Sequence, residues 1–143
     1  MDHVAIMKKS WGLIPKILNG RKTIESRWGK VRSVPWGRVA VGDKVYFKNS
    51  GEAIYATATV SKVLQFDNLT PKGIYKIVTK FGGQGEIAFS SIASTLVWAK
   101  NKRYCTLIFL KSARSIKPFY INKKGFGVGS AWLTVRNINS IKL

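Results

Sequence analysis

Short stretches of alternating or continuous apolar residues, separated by turns rich in glycine and asparagine, dominate this sequence. This pattern predicts β-strands rather than long helices. The predicted strands cover residues 3–7, 23–28, 44–49, 53–63, 104–110 and 132–135. A further strand is predicted over residues 115–121, broken at Pro118, because proline cannot donate a ladder hydrogen bond. Residues 138–143 are predicted to add a short end piece.

Two helices are predicted between these strands. The first covers residues 13–19, with Pro15 in its first turn and Gly20 at the left-handed position that ends many helices. The second begins at Thr70-Pro71, an N-cap followed by a proline at the first helical position, and stops at Gly82.

The region after the second helix is harder to interpret. Residues 82–85 are predicted to form a flexible loop because three of the four are glycine. Residues 86–99 fit either a short helix or an irregular segment.

The order of these elements predicts the fold class. Several strands follow directly on one another, and the length of 143 residues suits one domain over residues 1–143. We therefore expect an α+β protein, a small mixed β-barrel of about six strands with helices packed at its ends. A doubly wound α/β sheet is disfavoured because helices and strands do not alternate.

The charge balance points to a polyanionic partner. Lys and Arg number 25 against 6 Asp and Glu, which gives a net charge of +19. Area scaling gives a folded surface of roughly 7,400 Å², so about one net positive charge falls on every 400 Å². Nucleic acid is the first candidate partner and an anionic membrane surface the second. The 45% hydrophobic and 12% aromatic content excludes a disordered basic tail.

Metal, redox and membrane functions find little support. Cys105 and His3 are the only residues of their kinds, so a disulfide, a cysteine-based zinc site and a histidine pair are excluded. We expect no metal and no cofactor. The longest apolar runs, such as residues 105–110, are too short to span a bilayer, and no signal peptide is visible. A cytoplasmic location without membrane contact is therefore predicted.

The densest group of charged residues is the sequence GRKTIESRW at residues 20–28. On the predicted strand, Thr23, Glu25 and Arg27 share one face, and Ile24, Ser26 and Trp28 share the other. Ionic side chains at a helix-to-strand junction are costly to bury unless they are paired. The cluster is thus either a salt-bridged corner that fixes the helix on the barrel or a ligand-binding corner, and both roles can hold together.

The first eight of these residues resemble the motif Gly-x-Lys-x-x-Glu-x-Arg of the ASCH domain, a family of the PUA-like superfamily of small RNA-associated β-barrels. The segment VGDKVYF, residues 41–47, is similar to the Gly-Asp entry into a strand in that family. The resemblance extends from Val4 to about Val135. It implies a cleft between the first helix and the barrel that binds a nucleotide or single-stranded nucleic acid, lined by Lys22, Glu25 and Arg27.

The chemistry of each of these side chains suits a particular contact with a nucleotide. Lys22 would present a point charge to a phosphate, and Arg27 a bidentate phosphate contact or a surface for a base. Glu25 would accept hydrogen bonds from a base edge or orient Arg27. Thr23 and Ser26 would donate to phosphate or sugar oxygens.

Three tryptophans, Trp11, Trp28 and Trp36, flank this cluster. A base stacked on an aromatic ring contributes about 1–3 kcal/mol, and unpaired bases are the usual readable form of RNA. Trp36 lies in a basic loop and is the best stacking candidate. Trp28 shares its face with Ile24 and is better explained as core. A tryptophan cage around a modified base is an alternative use of these residues.

The predicted nucleic-acid-binding residues share positive charge, hydrogen-bonding capacity or an aromatic ring. They are Lys8, Lys9, Trp11, Arg21, Lys22, Thr23, Glu25, Ser26, Arg27, Arg32, Trp36, Lys48, Asn49, Lys123 and Lys124. A second basic feature, the row Lys72, Lys76 and Lys80 on the second helix, fits either a solvated face or a phosphate contact.

The family resemblance also raises the question of catalysis. Some ASCH-like proteins are ribonucleases, and a related group hydrolyses an acetylated cytidine with a threonine nucleophile in the motif. Glu25 stands at that threonine position, which argues against the latter reaction. A ribonuclease would draw on Lys22, Glu25, Arg27 and Tyr46. The six acidic residues are dispersed in the sequence, which disfavours a two-metal nuclease site.

The leading hypothesis is therefore a non-catalytic domain that binds single-stranded RNA in a basic cleft with aromatic stacking. The alternatives are a ribonuclease acting at the same cleft, a non-specific DNA-binding domain, and a reader of modified nucleotides. The sequence makes no prediction of the oligomeric state.

Overall fold

A computed structural model describes residues 1–85, 87 and 91–143. Its strands are β1 (Asp2–Met7), β2 (Ile24–Gly29), β3 (Lys44–Asn49), β4 (Ile54–Phe66), β5 (Tyr104–Phe119) and β6 (Trp132–Val135). Its helices are α1 (Leu13–Leu18), α2 (Pro71–Gly85) and α3 (Ile92–Ala99), with short 3₁₀ turns at Lys9–Trp11 and Ile138–Ser140. The predicted α+β class is confirmed.

The strands form one mixed sheet in the order β2-β5-β4-β3-β1-β6. β1 and β3 are parallel, and the other neighbours are antiparallel. The sheet curls so far that Arg27 of the edge strand β2 contacts Ile6 of β1 and Ala131 beside the other edge strand, β6. The predicted small mixed barrel is therefore present as a half-barrel whose two edges approach each other.

Three apolar clusters hold the elements together. The largest packs Ile14 and Ile17 of α1 against Phe47 of β3 and Ile108 of β5. The second lies under α2 and α3, and the third lies near the start of β4 and β6. As the pattern predicts, α2 buries Ile74, Ile77, Val78 and Phe81 and leaves Lys72, Lys76 and Lys80 exposed.

The predicted end of the second helix is wrong. α2 continues through Gly82 and Gly83 to Gly85, so the predicted loop at residues 82–85 is helical. A glycine inside a helix costs about 1 kcal/mol relative to alanine. The apolar face of α2, packed on the second cluster, outweighs that local preference.

The ambiguous segment 86–99 lies partly outside the described residues. Its described part is α3, which begins at an N-cap, Ser91, whose side chain accepts a hydrogen bond from the Ser94 main chain. The Ser94 side chain completes a reciprocal capping box. A serine pair thus starts a helix that the sequence left undecided.

The strands predicted over residues 104–110 and 115–121 belong to one strand, β5, of 16 residues. The prediction treated Pro118 as a break, but it lies one residue before the end of the strand. Three register shifts against β4, and Ser112 at a φ of +55°, bend this long pair. Bulges let a continuous strand follow the curled sheet. The predicted end piece is present as an isolated bridge between Ile121 and Lys142.

None of the helices in the described ranges is long and apolar enough to cross a membrane.

Candidate nucleic-acid interface

A cavity of about 420 Å³ opens where β2 approaches the end of β1. We call it the β1–β2 cavity. It is lined by Ile6 and Met7 of β1, by residues 25–28 of β2, and by residues from around α1, from α3 and from the loop that precedes β6. The two edges of the half-barrel therefore create the cavity.

Arg27 spans the gap between these edges. Its Nη1 atom donates to the carbonyl of Ala131 at 3.1 Å, and Nη2 donates to the carbonyl of Ile6 at 3.4 Å. The guanidinium lies over the Trp132 ring at 5.2 Å from the centroid. Arg27 thus connects the two edges through its side chain while lining the cavity.

Glu25 and Lys22 form a buried ionic pair behind Arg27. The Lys22 amine donates to the carbonyl of Ile24 at 2.7 Å and lies 3.6 Å from Glu25 Oε1. Glu25 Oε1 also accepts from the Ser26 main chain, and Oε2 lies 3.4 Å from Arg27 Nη2. Both oxygens of Glu25 are therefore engaged.

This burial corrects one expectation. Lys22 is 2% exposed and does not line the β1–β2 cavity, so its amine is not presented to a phosphate. A buried carboxylate needs a nearby cation, and Lys22 serves Glu25 in that role. The contacts of Lys22 are those of a salt-bridged corner.

On the other face of β2, two polar atoms stand out. Ser26 Oγ and Trp28 Nε1 are buried, and neither has a hydrogen-bond partner among the described residues. Both residues line the β1–β2 cavity. Buried polar groups in native proteins are nearly always satisfied by protein, water or ligand.

Two of the indole rings that line the cavity have a lysine amine beside them. The Lys8 amine lies 5.5 Å from the centroid of Trp11, and the Lys102 amine lies 4.8 Å from that of Trp98. Trp98, on α3, is 41% exposed and lines the cavity. Cationic groups therefore lie beside the aromatic surfaces.

Lys48 and Lys123 bring two positive charges close together. Lys48 is only 8% exposed, and its burial together with the charge of Lys123 lowers the pKa of Lys48. Lys123 lines the cavity. An anion between the two amines would relieve their repulsion.

The structure brings six of the predicted binding residues together around the cavity. These are Lys8, Trp11, Glu25, Ser26, Arg27 and Lys123. The other nine do not line it: Lys9, Arg21, Lys22, Thr23, Arg32, Trp36, Lys48, Asn49 and Lys124. Lys9 and Asn49 both contact Glu52, at 2.6 Å and 3.2 Å, in a surface network.

Trp36, the preferred stacking candidate, lies elsewhere. It is half-buried, meets Tyr104 edge-on at 5.3 Å between ring centroids, and carries the Arg32 guanidinium 5.7 Å above its ring. It borders a separate cavity of about 20 Å³ that Trp28 also lines. Trp28, expected in the core, is half-buried and packs against the second cluster while lining the β1–β2 cavity.

The four residues considered for catalysis are not assembled in one place. Glu25 and Arg27 line the cavity, whereas Lys22 and Tyr46 do not. The Tyr46 ring packs edge-on against Phe119, and burial raises the pKa of its hydroxyl. In the described parts of the chain, no group of three or more His, Cys, Asp or Glu could hold a metal ion.

Sequence reasoning missed several lining residues, above all Trp98. It lies 70 positions from Trp28 in the chain, inside the segment whose secondary structure was ambiguous. Ser130 also lines the cavity, with its hydroxyl donating to the carbonyl of Trp132 at 3.0 Å. No local pattern marks either residue, because both reach the cavity through tertiary packing.

Solved structures share this architecture. The ASCH protein of Zymomonas mobilis superposes with a TM-score of 0.67 at 17% identity, covering 99% of this chain and 96% of that one. The N-terminal domain of Staphylothermus marinus McrB gives a TM-score of 0.56 at 15% identity, covering 97% and 93%. Scans against protein-family models and against curated proteins find no match. The chain therefore has the fold of the Zymomonas mobilis ASCH protein, as the resemblance implies.

Proposed function

We propose that this chain is a nucleic-acid-binding domain that takes an unpaired nucleotide of single-stranded RNA into the β1–β2 cavity. The observation that carries the proposal is the composition of that cavity: tryptophans and lysines line it together, in a chain of net charge +19.

The volume of the cavity suits one nucleotide. About 420 Å³ lies within the range of sites for small organic ligands. Bases in a duplex are stacked inside the helix, so a cavity of this kind admits a base only where it is unpaired or turned out of the stack. A single strand offers such bases without the cost of opening a duplex.

The aromatic surfaces suit a base. Trp11, Trp28 and Trp98 come from three separate parts of the chain and meet at this one cavity. Each stacked base contributes about 1–3 kcal/mol and requires no particular sequence. Trp98 has the largest exposed fraction of the three, at 41%. It is therefore the residue on which we expect stacking to depend most.

The lysines in and near the cavity suit phosphate. Lys8 and Lys123 line the cavity, and Lys48 lies close enough to Lys123 for that charge to lower the pKa of Lys48. Contacts between lysine and phosphate provide affinity without sequence information and weaken as salt rises. The preference for RNA over DNA rests on the resemblance to RNA-associated barrels, so DNA and modified nucleotides remain alternatives for the experiment.

The test is fluorescence anisotropy with end-labelled single-stranded RNA, duplex RNA and single-stranded DNA of one length, at about 50 and 200 mM salt. We expect single-stranded RNA to bind tightest. Trp98→Ala should weaken that binding about 5- to 150-fold, the equivalent of one stacked base. Trp36→Ala, a matched tryptophan outside the cavity, should leave it unchanged.

Two results would contradict the proposal. Equal binding of duplex and single strand would show that charge alone acts, and equal effects of the two tryptophan variants would remove the cavity from binding. The same RNA is run on a denaturing gel after incubation. Shortened RNA would replace the binding proposal with that of a ribonuclease.

A further inference from the structure

Ser26 and Trp28 leave two hydrogen-bond donors without acceptors. Their side chains lie two positions apart on one face of β2, and both residues line the β1–β2 cavity. Ser26 is 7% exposed, and its Oγ atom has no partner among the described residues. The same holds for Trp28 Nε1. The hydrogen bonds between β2 and β5 do not satisfy these side-chain atoms. At Ser26 and Trp28 the ladder engages only the main chain, opposite Leu107 and Cys105.

Unsatisfied buried donors destabilise a protein, and apolar side chains of similar shape would avoid that penalty. Their presence beside a cavity is explained when a ligand supplies the missing acceptors. Glu25 is already engaged by Lys22, Arg27 and the Ser26 main chain. These three contacts occupy most of the acceptor positions of its carboxylate, which leaves little capacity for a ligand's amino group.

The chemistry of these groups indicates which base edge fits. The indole N–H can only donate, and the serine hydroxyl is free to donate. Guanine presents the acceptors N7 and O6, and uracil, like thymine, presents O4. Adenine and cytosine present an amino donor at the equivalent position. The indole N–H facing an amino group would stay unsatisfied, and the serine hydroxyl would have to accept instead of donate.

We infer that Ser26 and Trp28 make the cavity selective for bases that carry a carbonyl group on this edge, guanine and uracil, over the amino bases adenine and cytosine. The inference rests on the proposed function, because it assumes that a base enters the cavity. It adds what the fold and the charge do not provide, namely a reason for one base to bind more tightly than another.

Trp28 has a second possible acceptor. It also borders the cavity of about 20 Å³ beside Trp36, which has room for about one water molecule. A water at that place would satisfy Nε1 without a ligand. The two residues are therefore tested separately.

The probes are end-labelled oligouridylate and oligocytidylate of equal length, whose bases differ at a single carbonyl or amino group. We expect the wild-type protein to bind oligouridylate about tenfold more tightly. Ser26→Ala and Trp28→Phe should each lower this ratio about three- to tenfold, as the loss of one hydrogen bond does. Guanosine monophosphate should compete better than adenosine monophosphate.

Two matched variants serve as controls. Ser61→Ala removes an exposed hydroxyl on β4, and Trp36→Phe removes an indole N–H outside the β1–β2 cavity; neither should change the ratio. Thermal unfolding without ligand separates binding from folding. Because Ser26 Oγ has no partner to lose, Ser26→Ala should keep or raise the Tm while it lowers the ratio.

The outcomes separate this inference from the proposed function. Equal binding of both oligonucleotides overturns the selectivity and leaves the proposed function intact. Binding of neither overturns both. A ratio unchanged by Ser26→Ala removes Ser26 from recognition. A Trp28→Phe protein that unfolds at lower temperature with an unchanged ratio assigns Nε1 to the small cavity and removes Trp28 from the inference.

Discussion

The guanidinium of Arg27 on β2 donates a hydrogen bond to the carbonyl of Ala131, the residue before β6, at 3.1 Å. β2 and β6 are the two edges of the six-stranded sheet, so this contact crosses the open side of the half-barrel. A side chain closes the structure where no ladder joins the edges. Arg27 also lines the β1–β2 cavity, so one residue takes part both in closing the barrel and in forming the site.

We predict that Arg27→Ala lowers the free energy of unfolding by about 2–4 kcal/mol. The change removes bonds to two carbonyls and leaves Glu25 without one of its cations. Urea unfolding of the variant measures the effect. Arg38→Ala, a change at an exposed arginine, is the control and should have little effect. A stable Arg27→Ala protein that only binds RNA more weakly would show that Arg27 contacts ligand rather than closing the barrel.

Lys22 and Glu25 should behave as a coupled pair. Lys22→Met leaves a buried carboxylate with one cation fewer and should cost about 3–5 kcal/mol. Adding Glu25→Gln should recover part of that loss, because the uncompensated charge is removed. A double-mutant cycle from urea unfolding gives the coupling. Additive losses would mean that the pair does not interact, despite the 3.6 Å separation.

His3 should make stability depend on pH. It is fully buried; its Nδ1 accepts from Trp132 Nε1 at 3.2 Å, and its Nε2 lies 2.8 Å from Asp43. Burial lowers the pKa of His3 despite the opposing influence of Asp43. The folded protein therefore takes up a proton on His3 less readily than the unfolded chain, whose value is about 6.5. Stability is complete above that pH and falls as the pH drops below it.

The expected slope is at most about 1.4 kcal/mol per pH unit. Urea unfolding between pH 8 and pH 5 measures it, and His3→Gln should flatten the profile in this window. Asp43, whose pKa is also lowered overall, loses its contribution only at more acidic pH. A slope equally steep in His3→Gln would assign the pH dependence to another group.

Gly83→Ala should stabilise the protein by about 0.5–1 kcal/mol. Gly83 lies within α2, and a Cβ atom there meets no other atom within 4 Å. Alanine loses less conformational entropy than glycine when it becomes helical. Gly51→Ala is the control: its surroundings are equally open, but its φ of +78° strains alanine, so stability should fall. Thermal unfolding distinguishes the two, and a destabilised Gly83→Ala would contradict the helical assignment.

The salt dependence of RNA binding should map the phosphate contacts. Each contact contributes about 0.7 to the slope of log affinity against log salt on a single strand. Replacing Lys8 and Lys123 by glutamine should reduce the slope by about 1.4 if both contact phosphate. The pair Lys72 and Lys76, on the exposed face of α2, is the matched comparison. A comparable reduction there would show that α2 also binds the backbone.

Much of the fold could be predicted from the sequence because it depends on local patterns. The helical spacing of Ile74, Ile77, Val78 and Phe81 reports which face of α2 is buried, and the alternation in the strands reports the pleat of the sheet. The motif at residues 20–27 located the corner of the fold where Glu25, Ser26 and Arg27 line the cavity. Charge pointed to a polyanion without reference to any structure.

The misses share a physical cause. The end of α2 beyond Gly82 and the continuity of β5 are decided by packing and pairing with distant segments, which outweigh local preferences at glycine and proline. A charge pattern cannot show that the Lys22 amine pairs with the Glu25 carboxylate. Aromatic residues beside a basic motif can equally face away from it, as Trp36 does.

The sequence by itself determined most of the elements, the fold class and the excess of positive charge, since these follow from spacing and composition. Only the tertiary structure decided that Trp98 of α3 joins Trp11 and Trp28 at one cavity, and that Ser26 and Trp28 hold unsatisfied donors there. The cavity exists because a curled sheet brings its two edges together. That closure depends on contacts between residues far apart in the chain, such as Arg27 and Ala131, which no local pattern records.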